Sequence, residues 1–154
     1  MVSLQEWLSK GRIRAQNTSA KEIRGLLRVA NRDLADARID LVSPDRRFAT
    51  ACGAALQLAT LVVRASGYRT FGAGHHWITF QLLLELIGKG EQERVDYLDS
   101  CRQKRNIADY DDAGLVSKSE VDELISEVVG FRAVVLRWLR THHPDLVDSA
   151  DGLL

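Results

Sequence analysis

Apolar residues recur at helical spacing along most of the chain. From residue 20 to 41, and again from Val121 to Leu139, they return every three or four positions, as on one face of an amphipathic helix. Residues 44–66 are apolar around most of the helical circumference, which predicts a central helix surrounded by others. No period-two alternation typical of a half-exposed strand interrupts the pattern. The sequence therefore predicts an all-α fold.

Capping and breaking residues divide this pattern into about five substantial helices. Thr18 or Ser19 is a suitable N-cap for the first, and Pro44 suits the first position of the second. Ser117 and Glu120 have the spacing of a capping box, and Pro144 ends the last helix. We expect an up-and-down bundle with helices over about 18–41, 44–66, 75–88, 91–110 and 117–143. The expected division of the chain is an N-terminal extension with a short helix (1–18), the bundle (19–143) and a C-terminal tail (144–154).

Composition narrows the class of protein. The 154 residues carry 21 basic and 21 acidic side chains, a balance that argues against a protein coating nucleic acid electrostatically but is compatible with a local basic pocket. Cys52 and Cys101 lack CxxC spacing, so a zinc site is not expected, nor is any other metal or a cofactor. The longest apolar stretch, 51–63, is shorter than a membrane span. With no signal peptide recognised, we predict a cytoplasmic protein without a membrane partner.

The segment RQKRNIADYDDAG (102–114) breaks the ordinary pattern. Polar side chains take the 0, 3, 4, 7, 8 spacing that usually carries a hydrophobic stripe. On a helical projection Arg105 falls inside the core-facing arc, with Arg102 and Asp109 at its margin. A buried guanidinium without partners costs several kcal/mol, so Arg105 must be paired or face a cleft. The residues of this stripe are Arg102, Arg105, Asn106, Asp109 and Tyr110.

Two interpretations of the stripe follow from the residues alone. In the structural one, Arg105 pairs with Asp109 one turn along the helix and Arg102 donates to a loop carbonyl. In the functional one, the two arginines and Asn106 line a cleft that binds a phosphate-bearing ligand, because guanidinium groups suit bidentate phosphate contact and an amide both donates and accepts.

The residues also carry a resemblance to a known family. R-N-x-A-D-Y (105–110) stands at the end of the penultimate helix, before a short turn and a long final helix. Upstream, an Ala-rich helix runs into ASGYR (65–69), followed by a glycine-containing loop and His75-His76. Over roughly residues 20–142 this arrangement resembles the HEPN domain family (higher eukaryotes and prokaryotes nucleotide-binding).

The resemblance implies a bundle of four to five helices that is usually dimeric. Many members are metal-independent ribonucleases, often toxins paired with a small nucleotidyltransferase or nucleases of defence systems. Their signature is an Arg, a following polar residue, and a His after four to six intervening residues. Arg105 and Asn106 match its first two positions, but Tyr110, Asp111 and Asp112 stand where the His would fall. A phenol, with an ordinary pKa near 10, replaces an imidazole poorly as a proton-transfer group.

This departure makes a non-catalytic module the preferred prediction. We expect a homodimer that binds nucleotide, RNA or a protein partner through Arg102, Arg105, Asn106, Asp109 and Tyr110. The alternative is a metal-independent ribonuclease with Arg105, Asn106 and Tyr110 as catalytic residues. A second alternative is a structural bundle with no ligand. By family analogy, a nucleotidyltransferase-type antitoxin is a candidate partner, with Tyr110 as the residue it would modify.

The adjacent histidines His75 and His76 make a poor metal chelate. Neighbouring residues on a helix point in different directions, and metal sites need converging ligands. We therefore expect structural or surface roles for both.

Overall fold

The computed structural model describes residues 3–110 and 114–147, except for the side chains of 107–110. Within those ranges the chain forms six α-helices, two short strands and two 3₁₀ turns, which confirms the predicted all-α bundle. The elements are α1 (Leu4–Ser9), β1 (Ile13–Ala15), α2 (Ala20–Ala37), α3 (Pro44–Ala65), β2 (Tyr68–Thr70), α4 (His75–Leu86), α5 (Gln92–Tyr110) and α6 (Lys118–His142), with 3₁₀ turns at Lys89–Glu91 and Pro144–Leu146.

Helix α3 is the centre of the bundle, as its all-round apolar pattern predicts. It contacts α2, α4, α5 and α6, and its small residues allow close approach: Ala51, Ala54 and Ala59 have no exposed surface. The apolar stretch 51–63 thus belongs to a helix of 22 residues, which is long and apolar enough to cross a membrane. Most of its apolar window is buried against the neighbouring helices, as in the core helix of a bundle.

The predicted helix starts agree with the observed caps. Ser19 accepts a hydrogen bond from the backbone N–H of Glu22, and Ser117 and Glu120 form the reciprocal capping box. At the other end of α2, the prediction that it reaches Leu41 is wrong. The helix stops at Ala37, because the N–H groups of Arg38 and Ile39 turn back to the carbonyls of Ala35 and Asp36, and Leu41 is 99% exposed.

A two-stranded antiparallel ribbon pairs part of the predicted N-terminal extension with the segment that follows α3. β1 and β2 pair with Ile13 opposite Thr70, Arg14 opposite Arg69 and Ala15 opposite Tyr68. Three residues are too few to show a period of two in the sequence. The ribbon is held by a small apolar cluster in which Ile13 and Trp7 pack on residues of α3 and α4, namely Val63, Ile78 and Leu82.

Candidate cationic site

The antiparallel hairpin of α4 and α5 brings the stripe beside the histidine pair. The turn between the helices is centred on Lys89. Residue 76 lies 13 positions before residue 89 and residue 102 lies 13 positions after it. Two antiparallel helices with equal rise per residue therefore place position 76 beside position 102.

Arg102 is paired within its own helix. Its Nε donates to Asp99 Oδ1 at 2.8 Å, and Gln103 Nε2 donates to the other carboxylate oxygen at 3.2 Å. The predicted hydrogen bond from Arg102 to a loop carbonyl is therefore wrong. Asp99 stands three residues earlier on the same helix, a spacing at which side chains meet.

Arg105 lies on the inward face of α5. Its side chain is half-buried and its Nε is fully buried. Val95, Leu98 and Cys101, which precede it on the same face, are all buried. The helix thus changes from apolar to cationic along one inward face.

The remaining members of the stripe divide into two groups. Asn106 is exposed, so it lies at the rim of the site. The side chains of Asp109 and Tyr110 lie outside the described residues, and so does the predicted Arg105–Asp109 pair.

His76 lies within electrostatic reach of both arginines. Partial burial of its ring lowers the pKa of His76, and the positive charges of His75, Arg102 and Arg105 lower it further. The positive end of the α4 dipole disfavours imidazolium in the same direction. A lowered pKa keeps this imidazole neutral at neutral pH, so it can accept a proton beside two permanent cations.

A cleft of about 260 Å³ adjoins the histidines. Arg64 lies in it and pairs with Glu22 at 3.0 Å, whereas Arg69 and the two histidines face it without a carboxylate partner among the described residues. The cleft therefore combines cationic, polar and apolar side chains. Its lining residues are Leu26, Leu56, Gln57, Thr60, Val63, Arg64, Arg69, Thr70, His75, His76 and Thr79.

Two sets of hydrogen bonds hold the start of α4 in place. Thr79 Oγ1 donates to the carbonyl of His75 at 2.8 Å and lies 3.2 Å from Thr70 Oγ1 on β2. Arg12 donates from Nε to the Phe71 carbonyl at 3.3 Å and from Nη2 to the Ala73 carbonyl. The guanidinium of Arg12 thus braces the loop that presents the histidines.

Gly72 is required for that brace. It has φ +86°, and a Cβ there would lie 3.1 Å from Arg12 Nε. A side chain would therefore meet both backbone strain and the bracing guanidinium.

The sequence alone does not connect His75 and His76 with the stripe, because each histidine by itself has the features of a surface residue. The connection requires knowing that α4 and α5 are antiparallel neighbours joined by the turn at residue 89. Arg64 and Arg69 gave no comparable signal, because an arginine near a helix end or in a polar loop is ordinary.

No metal position accompanies this site in the part of the chain that the structure describes. Over residues 3–110 and 114–147, with the side chains noted above excepted, no group of three or more His, Cys, Asp or Glu side chains is close enough to hold an ion. The side chains that line the cleft supply guanidinium, imidazole, amide and hydroxyl groups.

The family comparison matches most of the chain. The family model described as the HEPN domain matches residues 23–138. The chain belongs to the HEPN domain family. Comparisons with curated proteins and with solved structures found no match. The matched segment of this HEPN domain includes the α4–α5 hairpin and the stripe, whereas β1 lies before it.

Proposed function

We propose that this HEPN domain binds phosphate groups of RNA or a nucleotide at the cationic site formed by His76, Arg102 and Arg105. The observation that supports the proposal is that α4 packs against α5, which brings His76 of one helix near Arg102 and Arg105 of the other. Two guanidinium groups beside one imidazole make a place that attracts a phosphate, whose negative charge favours both cations. Guanidinium groups also match phosphate oxygens in geometry.

The first test measures binding of fluorescently labelled RNA by anisotropy. Arg105→Ala should weaken binding at least about tenfold, since a hydrogen bond to a charged group contributes roughly 1.5–3 kcal/mol. The matched control is Arg137→Ala on α6, an exposed arginine next to Trp138, whose indole donates to the Leu86 carbonyl at the opposite end of α4. Equal affinity of wild type and Arg105→Ala for RNA and for ATP would contradict the proposal.

A metal-independent ribonuclease is the second candidate, and His76 is the observation that favours it. The motif histidine that the family signature expects after Arg105 is replaced by Tyr110, but His76 offers an imidazole beside the same arginine. In such a reaction the neutral imidazole takes the proton of a ribose 2′-hydroxyl. The 2′-oxygen then bonds to phosphorus, and the 5′-oxygen leaves and takes up a proton.

This second candidate has its own test. Cleavage of end-labelled RNA should stop in His76→Gln while RNA affinity changes little, and an RNA with a single 2′-deoxy residue should resist cleavage at that position. No cleavage by the wild-type protein would exclude the ribonuclease and leave the binding module.

The predicted homodimer and a nucleotidyltransferase-type partner belong to the same proposal. Light scattering at micromolar concentration tests the dimer, and a strict monomer would contradict it. Co-purification with a nucleotidyltransferase encoded next to this chain, followed by mass measurement of Tyr110, tests the partner.

A further inference from the structure

The β1–β2 ribbon carries two arginines directly opposite each other. Arg14 and Arg69 are partners in the register, and both are exposed. Their neighbour Ile13 is 1% exposed and packs into the apolar cluster. Because successive residues of a strand point to opposite faces, the face that carries Arg14 and Arg69 is turned to solvent. Like charges directly opposite in an antiparallel pair destabilise it. The ribbon therefore needs something to offset the repulsion.

One aromatic ring offsets part of it. The guanidinium carbon of Arg14 lies 4.4 Å from the centroid of the Phe71 ring, and that of Arg69 lies 5.7 Å from it. Neither arginine takes part in an ion pair with the described residues. Contact with an aromatic face is modestly favourable for an exposed cation, but it leaves both positive charges available to an anion.

This cluster is continuous with the cationic site. Arg69 lines the same cleft as His75 and His76, and His76 is electrostatically coupled to Arg102 and Arg105. The Thr70–Thr79 contact joins the ribbon to the first turn of α4. Basic side chains thus extend from the arginines beside Phe71, past the cleft, to the arginines of α5.

We propose that the Arg14–Phe71–Arg69 ribbon is a second contact for the ligand, and that the ligand is therefore a single-stranded RNA rather than a mononucleotide. The proposal rests on the proposed function. The two guanidiniums contact phosphates of the strand, and an unstacked base packs on the Arg14–Phe71 surface, since aromatic rings and guanidinium planes accept bases in this way. A duplex does not present such a base.

The test compares a labelled single-stranded 12-mer RNA with labelled ATP. In the double variant Arg14→Gln/Arg69→Gln, affinity for the 12-mer should fall at least about tenfold, and the slope of log affinity against log salt should shrink by about 1.4, since each phosphate contact to a single strand contributes about 0.7. In the single variant Arg14→Gln, at a residue that does not line the cleft, affinity for ATP should stay within about twofold. Phe71→Leu should weaken 12-mer binding about fivefold with the salt slope unchanged, because stacking carries no charge.

The controls separate this proposal from the proposed function. Arg38→Gln/Arg137→Gln removes two exposed arginines elsewhere and should leave 12-mer affinity within about twofold. The Tm of Arg14→Gln/Arg69→Gln should be unchanged or raised, since the substitution removes a like-charge pair.

Three results would overturn the inference. If the ribbon variant binds the 12-mer like wild type while Arg105→Ala does not, the ribbon proposal is wrong and the proposed function stands. If neither variant changes RNA or ATP affinity, both fail. If an octaglutamate peptide displaces the 12-mer from the ribbon at equal concentration, the surface recognises acidic chains in general and not RNA.

Discussion

Two regions of this HEPN domain hold arginines out of full contact with water, and they differ in what surrounds the charge. Arg47, near the start of α3, is only 4% exposed. Its Nε donates to the Ala37 carbonyl at 2.7 Å, and its Nη2 lies 3.7 Å from Asp40 and 3.6 Å from Asp122. Two carboxylates and a carbonyl thus surround one guanidinium.

At the cationic site, two arginines of α5 lie near an imidazole of α4. Arg102 shares Asp99 with Gln103, and the field of Arg102 and Arg105 acts on His76. Burial alone does not decide the role of an arginine, because the free energy of a buried guanidinium also depends on the groups around it. We expect the substitutions below to show whether the arginines of the cationic site differ in role from Arg47.

The largest expected effect tests the structural side of the comparison. Arg47→Ala should lower the free energy of unfolding by about 3 kcal/mol, because it leaves the Ala37 carbonyl without its donor and removes a buried stem that joins the α2–α3 loop to α6. RNA affinity of the folded fraction should not change. Urea denaturation measures the first and anisotropy the second, and a loss below 1 kcal/mol would mean that Arg47 is not a structural centre.

Much of this fold was readable from the sequence because helical periodicity is local. Ser19, Ser117 and Glu120 mark the starts of their helices, because capping involves side chains and backbone groups within four residues of each other. The apolar residues all around α3 indicate its central position. The ribbon was missed because three-residue strands have no period to detect, and the early end of α2 because no glycine or proline marks Ala37.

Only the part of the candidate site that lies on one helix could be predicted, because that part follows from local spacing. Arg102 and Arg105 stood out because they occupy apolar positions on their own helix. His76 joins them through tertiary structure, across a turn. The sequence does not mark Arg47 as a buried residue, because PDRR (44–47) at a helix start has the composition of an ordinary polar first turn and its acids come from residues 40 and 122.

The second prediction tests the functional side by mass action. At a ligand concentration one hundred times its Kd, single-stranded RNA should stabilise the wild-type protein by about 2.7 kcal/mol, seen as a rise in Tm. Without RNA, Arg105→Leu should have the same free energy of unfolding as wild type or a slightly higher one, and RNA should not raise its Tm. If Arg105→Leu is strongly destabilised and RNA raises the Tm of neither protein, the stripe is structural.

The third prediction concerns the proton on His76. Its pKa should lie below 6.5 in the free protein, should rise in Arg102→Ala, and should rise in wild type when a phosphate ligand offsets the arginines. NMR titration of the His76 ring measures all three.

Because the folded-state pKa is lowered, the contribution of His76 to stability is complete above pH 6.5 and is lost as the pH falls through the folded-state pKa. His76→Gln should flatten that part of the stability profile, and a pKa insensitive to Arg102→Ala would contradict the assigned proximity.

The smallest effect concerns Glu22, which pairs with Arg64 at the edge of the cleft. This pair is partly exposed, so its own contribution to stability is within about 1 kcal/mol, but it neutralises a cation that faces the proposed ligand. Glu22→Gln leaves the backbone N–H of residue 22 free to donate to Ser19, keeps an oxygen that can accept from Thr18, and removes the negative charge that Arg64 pairs with. Affinity for the 12-mer RNA should rise about two- to threefold at low salt and return to the wild-type value at high salt, where the Debye length is a few ångströms.

Glu93→Gln, at an exposed acid in the first turn of α5, is the control for the change in net charge. An equal gain in both variants would mean that RNA responds to the overall charge of the protein rather than to the cation that Glu22 holds at the cleft.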